Sequence, residues 1–209
     1  MKVTGGDFDL RRAEGAVNFV VNENLAIRLA GTIGRRDGYM HVRNFDYDMN
    51  NEHYDGQRLS VHFESGDFTN DFYASRFSSK THATANPAYV FDPNSPFARV
   101  GNFHLVMPAQ VARNAADFYG ITLDAGFKPK ARIYTEDFTD VFTWRLNENV
   151  TLKNIAAYRR LEGPYDMDFD GTQLFISPTT PGAYIQTAEF FSFSKIKQWS
   201  EELQLQGIH

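Results

Sequence analysis

Val20-Val21-Asn22-Glu23-Asn24-Leu25-Ala26-Ile27-Arg28 is a strand, a three-residue turn and a strand returning, and the same design recurs at Arg145-Leu146-Asn147-Glu148-Asn149-Val150-Thr151-Leu152-Lys153. Asn tolerates the left-handed backbone that a tight hairpin needs, so both Asn-Glu-Asn stretches read as short turns. Pairing outward from the first turn sets Ala13, Gly15, Val17, Phe19 and Val21 opposite Ile33, Gly31, Leu29, Ile27 and Leu25 on one face. The other face carries Glu14, Ala16 and Asn18 opposite Thr32, Ala30 and Arg28. This is period-two alternation over two strands of roughly 9–11 residues, a length that spans a bilayer when the strands are tilted.

A second hairpin pairs Arg58–Ser65 with Phe68–Phe77 about Gly66-Asp67, where Gly at the first central position suits a type II′ turn. It places Leu59, Val61 and Phe63 with Phe72 and Ala74, and Arg58, Ser60, His62 and Glu64 with Thr69, Asp71 and Tyr73. A third pairs Phe138–Leu146 with Val150–Arg160, with Trp144 against Leu152 and Arg145 against Thr151. There Asp140 and Asn154 fall on the apolar face, and Val141 and Ile155 on the polar one. A bulge in each strand would restore the alternation. Gln198–Gln206 reads as a seventh strand.

All three tight turns lie on one side. The other side has Arg36–Gly56, Ser78–Asp137 and roughly Leu161–Lys197. A structureless loop of about sixty residues is abnormal in a compact soluble domain, but expected on the outer side of a barrel that crosses an outer membrane. The fold class expected is therefore all-β: antiparallel up-and-down strands from a transmembrane β-barrel, partial at about seven strands, with long loops on one side.

Composition agrees. Aromatics are 15% of the chain, with 19 Phe and 10 Tyr, which suits strands and interface girdles. No apolar run is long enough for a membrane-spanning helix. The mean hydropathy of −0.44 is compatible with alternating strands. A net charge of −5 supplies no electrostatic reason to bind nucleic acid. The chain has no cysteine, which removes disulfides, thiolate catalysis and Cys-based metal sites. Residues Met1 to Leu10 lack the apolar segment of a signal peptide.

Leu25-Ala26-Ile27-Arg28-Leu29-Ala30-Gly31 runs into Arg35-Arg36-Asp37-Gly38-Tyr39. Trp144-Arg145-Leu146 is followed by Val150-Thr151-Leu152-Lys153-Asn154-Ile155-Ala156-Ala157-Tyr158-Arg159-Arg160, then by Asp168-Phe169-Asp170-Gly171 and Ser200-Glu201-Glu202-Leu203-Gln204-Leu205. In this order and spacing, these stretches resemble the barrel region of TonB-dependent receptors, the ligand-gated active transporters of the Gram-negative outer membrane. The resemblance implies uptake of a scarce small molecule such as a ferric siderophore. It implies outer-membrane lipid and the TonB energy-coupling complex as partners, the latter through a plug region. It implies no enzymatic activity and no cofactor. The family has an N-terminal plug, a coupling segment and a closed barrel of about 22 strands. Here the expectation for 1–209 is a partial barrel domain with no plug and His209 in place of a terminal aromatic.

On this reading Arg28, Arg58, Arg145 and Lys153, on the polar strand face, are lumen-facing; simple solvation and charge balance account for them equally. Trp144, Tyr158 and Trp199, near strand ends on the apolar face, are membrane-interface aromatics, with burial in a soluble core as the other reading. Asp166-Met167-Asp168-Phe169-Asp170-Gly171 matches the first half of an EF-hand loop, but Ser177 stands where a bidentate Glu is required, so an acidic outer loop is expected and no metal site. The six His (His41, His53, His62, His82, His104 and His209) do not form the helical His pair of a zinc protease; His62 has Asp71 beside it. No nucleophile elbow or phosphate loop is present, so no catalytic residue is assigned. The competing class is a soluble β-sandwich that binds a ligand or carbohydrate, since it too has one apolar face per sheet.

Overall fold

A computed structural model describes residues 1–96, 98, 103–123, 128–168, 174–175, 184–185 and 189–207. The elements are β1 (Lys2–Gly6), β2 (Leu10–Asn22), β3 (Leu25–Arg36), β4 (Met40–Val42), β5 (Asp48–Met49), β6 (Glu52–Ser65), β7 (Phe68–Thr81), α1 (Phe103–Ala116), β8 (Gly120–Ile121), β9 (Lys130–Asn147), β10 (Val150–Asp168), β11 (Leu174–Phe175), β12 (Tyr184–Ile185) and β13 (Glu189–Gly207). Eight of them form one sheet in the order β1-β2-β3-β6-β7-β9-β10-β13. Every pairing in it is antiparallel. Short turns at one end and longer connections at the other produce this up-and-down order, except that β1 and β2 join through a short turn, Asp7–Asp9, at the end of the long connections. The eighth strand is β1, whose Lys-Val-Thr-Gly-Gly sequence carries no alternation to reveal it.

The first hairpin has the register expected, from Ala13 opposite Ile33 to Val20 opposite Ala26, with a one-residue shift at Val21 that pairs Asn22 with Leu25. The turn chemistry differs from the expectation. None of Asn22–Asn24 or Asn147–Asn149 has a positive φ. Instead the Asn22 carboxamide oxygen accepts the backbone N–H of Asn24, and Asn147 does the same for Asn149, both at 2.9 Å. Asn therefore serves as a side-chain mimic of a backbone turn. Asn147→Ala is expected to lower stability by about 0.5–1 kcal/mol, the net worth of one exposed hydrogen bond, read by chemical denaturation. At Gly66 the φ is +59°, and Asp67 is not left-handed, as a type II′ turn requires.

Bulges that would restore the alternation in the third hairpin are absent between Thr151 and Leu161. Pairing runs unbroken from Thr151 opposite Arg145 to Leu161 opposite Thr135, and the only shift is beside the turn at Val150. Asp140 and Asn154 stay on the apolar face because each finds a partner there. Asn70 donates to Asp140 (2.9 Å), and Asn154 to Glu201 (3.2 Å). A satisfied polar pair removes the need for the backbone to rotate either residue away.

The strands also run further than alternation alone suggests. Leu161–Asp168 and Glu189–Lys197, expected in a loop, continue β10 and β13 and pair with each other. Asp166 to Asp168 thus belong to a strand rather than an acidic loop, and Asp168 is buried; Phe169 to Gly171 lie outside the described residues.

No second sheet covers the apolar face among the described residues. Val17, Leu29, Ile33, Trp199, Leu203 and Leu205 are all exposed, the last three at 79%, 68% and 71%. The buried apolar cluster lies elsewhere, in the connections: Met40, Val42, Met49, Ala85, Ile121 and Leu123. A monomeric soluble protein rarely leaves so large an apolar patch open. Among the described residues, the second sheet that a soluble sandwich would pack against this face is not seen.

Candidate functional site

The opposite face of the sheet is polar and cross-linked by charge. On it Lys2 pairs with Glu14 (3.5 Å), and Glu52 receives Arg12 and Arg36 (3.3 Å for Arg36). Arg28 donates to Asn18 (2.8 Å), His62 lies 2.7 Å from Asp71, and Asp137 bonds Arg159. Strand alternation alone puts these groups on one side. Charge pairs joining adjacent strands then hold the face together. A hollow of about 570 Å³ opens among Glu14, Arg28, Thr32, Arg58 and Phe77. Two smaller ones lie among Asn18, His62 and Asp71, and among Asp137, Arg159 and Gln198. A further hollow of about 480 Å³ lies among Leu29, Leu59, Ala74 and Phe138 on the apolar face.

Of the four cations singled out from sequence, the structure brings two together. Arg28 and Arg58 border the same hollow, and the Arg58 guanidinium lies 5.2 Å over the Tyr73 ring. Arg145 sits by the tight turns, bonded to Asp67 at 3.0 Å. Lys153 is on the same face but away from the large hollow.

The three aromatics separate into two levels. Trp144 stacks on Phe68 (5.2 Å) near the turns. Tyr158 packs on Trp199 (4.4 Å) and Phe138 (6.2 Å). Tyr158 and Trp199 were expected near strand ends but stand mid-strand, because β10 and β13 continue well beyond them.

Within Ser78–Asp137, expected as an irregular loop, residues 82–95 carry no helix or strand, while α1 and β8 add regular structure and β7 and β9 extend into its two ends. β4 pairs antiparallel with β5 and parallel with β8. α1 forms despite Pro108 in its interior, a residue that argues against a helix. Burial of Met107, Gln110 and Asn114 outweighs that local preference. Arg43 ties the pieces. Its guanidinium donates to the Asp117 carboxylate and backbone oxygen (both 3.0 Å) and to the Asn114 side-chain oxygen (3.0 Å). Asn44 and Leu123 exchange two hydrogen bonds across the same junction. A Cβ at Gly120 would strike the side-chain ends of Asp117 and Arg43, so that pair would have to shift to admit one. Nearby, burial and the charge of Asp168 push the Tyr47 phenol up to about 12.

Above this junction runs a chain of aromatic rings that sequence reasoning missed. Phe8 contacts Tyr39 (5.9 Å), Tyr39 contacts Tyr119 (6.4 Å), Tyr119 contacts Phe118 (5.3 Å), and Phe118 stacks on Tyr89 (5.1 Å). Arg36 lies 5.1 Å over Tyr39. Phe118 and Tyr119 remain more than half exposed. Only the adjacent Phe118-Tyr119 hinted at the cluster; its other members come from distant segments. Exposed rings beside a guanidinium can stack a planar ligand and offset its negative charge.

No family model matches the chain, and no curated protein matches it. Solved structures do. The siderophore receptor PiuA from Acinetobacter baumannii superposes with a TM-score of 0.62 at 12% identity, over 98% of this chain and 26% of that one. The ferric-catecholate import receptor Fiu from E. coli K12, in its closed form, gives 0.57 at 15% identity, over 97% of this chain and 27% of its own. The open form of Fiu gives the same TM-score and identity, with 29% of its length covered. The chain thus spans about a quarter of the length of the receptors it matches. The TonB-dependent-receptor resemblance read from sequence is met in the fold: this chain has the architecture of one section of a siderophore-receptor β-barrel.

Proposed function

We propose that this chain is a section of the barrel of a TonB-dependent receptor in the Gram-negative outer membrane, serving the active uptake of a small ligand such as a ferric siderophore. The observation that carries this reading is one continuous antiparallel sheet of long strands with an exposed apolar face and an opposite face cross-linked by charge. In this reading Arg28, Arg58, Arg145 and Lys153 face the lumen. Trp144 marks the interface at the tight-turn side, and Tyr158 with Trp199 approach the other. The aromatic chain from Phe8 to Tyr89, with Arg36, lies where an arriving ligand is first met. A plug elsewhere in the complete polypeptide engages the energy-coupling complex.

The test is radiolabelled ferric-siderophore uptake by a Gram-negative strain lacking its own receptors and expressing the complete polypeptide. Uptake should require an intact energy-coupling system. Recovery of the polypeptide as a water-soluble monomer without detergent would overturn the reading. The isolated 209-residue chain, with β1 and β13 as open edges, is expected to go to inclusion bodies.

A further inference from the structure

Between the level of Trp144 and that of Phe138, Tyr158 and Trp199, the apolar face carries two carboxylates and no Lys or Arg among the described residues. The carboxylates are Asp140 on β9 and Glu201 on β13, each held by an asparagine of a neighbouring strand. Asn70 donates to Asp140 (2.9 Å), and Asn154 to Glu201 (3.2 Å). Together the four make a polar stripe across the adjacent strands β7, β9, β10 and β13. Asp140 lies four residues from Trp144 along β9, or ~13 Å, and so stands inside the apolar band and not at its rim. An amide supplies hydrogen bonds but no opposite charge, whereas ionisable groups at membrane depth are normally paired or turned towards water.

Asp140 is the more informative of the two acids, because its surroundings within the sheet are complete. Its strand lies between β7 and β10, with Phe72 directly opposite on one side and Ala156 on the other. Phe138 and Phe142 flank it along the strand, and Asn70 and Asn154 stand diagonal to it. No neighbouring strand position is left from which the sheet could supply a cation. Whatever neutralises Asp140 therefore stands on the face itself. Beside the stripe that face is recessed: the hollow of about 480 Å³ among Leu29, Leu59, Ala74 and Phe138 begins one row away, where Ala74 pairs with Phe138. The small side chains of Ala74 and Ala156 leave room for a protruding group on either flank of Asp140.

We infer that this stripe and hollow form a docking surface for a different membrane-embedded protein, one that presents a lysine or arginine to Asp140 and an apolar side chain to the hollow. Acyl chains do not meet the requirement, since they offer neither charge nor hydrogen-bond donors. An isologous contact with a second copy of this chain does not meet it either, because the same patch on both sides sets carboxylate against carboxylate. A cation from a partner completes the Asn70–Asp140 pair with a charge-assisted hydrogen bond. The inference rests on the membrane orientation proposed above.

The test is photo-crosslinking in intact Gram-negative cells expressing the complete polypeptide, with p-benzoylphenylalanine in place of Phe72, beside Asp140, or of Val17, on the same face but three strands away. Position 72 should give a discrete protein adduct, identified by mass spectrometry as a protein other than the receptor with a Lys or Arg in its membrane-embedded segment. Position 17 should give lipid adducts only. Asp140→Asn keeps an acceptor for Asn70 and removes the charge, and should reduce the adduct at 72 on the order of tenfold or more. Asp140→Lys, combined with Asp in place of the partner's cation, should restore it. Equal amounts of each variant in the outer membrane show that all of them fold. Lipid adducts at 17 with no protein adduct at 72 would overturn the docking surface while leaving the membrane reading intact. An adduct at 72 undiminished in Asp140→Asn, or one formed with a second copy of the chain, would overturn it as well. No lipid adduct at position 17 would overturn both readings.

Discussion

If the chain is part of a membrane-spanning barrel, as proposed, Leu29→Arg should destabilise it in a bilayer by on the order of 2–4 kcal/mol, because the charge would fall near the middle of the hydrocarbon band. Leu29 stands midway between Leu25 and Arg35 on β3, exposed and opposite Leu59. Its neighbour Arg28 points to the other face, bonded to Asn18. Arg28→Leu should cost far less, about the worth of one exposed hydrogen bond. Refolding into bilayers under denaturant titration measures both. A soluble sandwich would also penalise Leu29→Arg, so labelling decides. Cys at positions 27, 29 and 33 should react poorly with a water-soluble maleimide and be reached by a lipid-dissolved relaxation agent. Cys at 28, 30 and 32 should show lower exposure to that agent. If 27, 29 and 33 are closed to lipid probes, the apolar face packs on protein and the transporter reading fails.

Arg43→Ala is the second large effect, and it acts on the long connections instead of the sheet. The guanidinium joins the β4–β5 connection to the end of α1 through Asp117 and Asn114. Its removal strands the Asp117 carboxylate, which keeps only His41 at 2.9 Å. It also deprives the buried Asn114 oxygen of a charged donor. Breaking such a half-buried pair should cost about 2–3 kcal/mol, between the values for exposed and fully buried pairs. The loss should be local. Limited proteolysis of intact cells expressing the variant should cut within 103–123 faster than in the unaltered protein, with β2 and β3 unaffected. An unchanged cleavage rate would show that the apolar cluster around Met49 and Ile121 holds the connections without Arg43. Gly120→Ala, which pushes the same pair apart, should reproduce the phenotype.

The functional parts of the molecule differed in how far they could be read in advance. Arg28 and Arg58 could be assigned to one face from alternation, but their sharing of a hollow depended on strand pairing across β3 and β6. The chain of rings from Phe8 to Tyr89 was illegible, because its members come from four separate connections and ring contacts leave no periodic trace.

By itself the sequence determined the three hairpins, their register and the division into an apolar and a polar face, since period-two alternation and turn residues are local and each constrains the other. That was sufficient for the fold class. What only tertiary structure decided was whatever depended on partners distant in the chain. Asp140 and Asn154 remain in register because Asn70 and Glu201 satisfy them. α1 survives Pro108 because Met107, Gln110 and Asn114 are buried. β10 and β13 extend to Asp168 and Glu189 because they pair with each other where alternation no longer signals a strand. Local pattern reports which way a side chain points; whether it is satisfied there depends on contacts that only folding brings together.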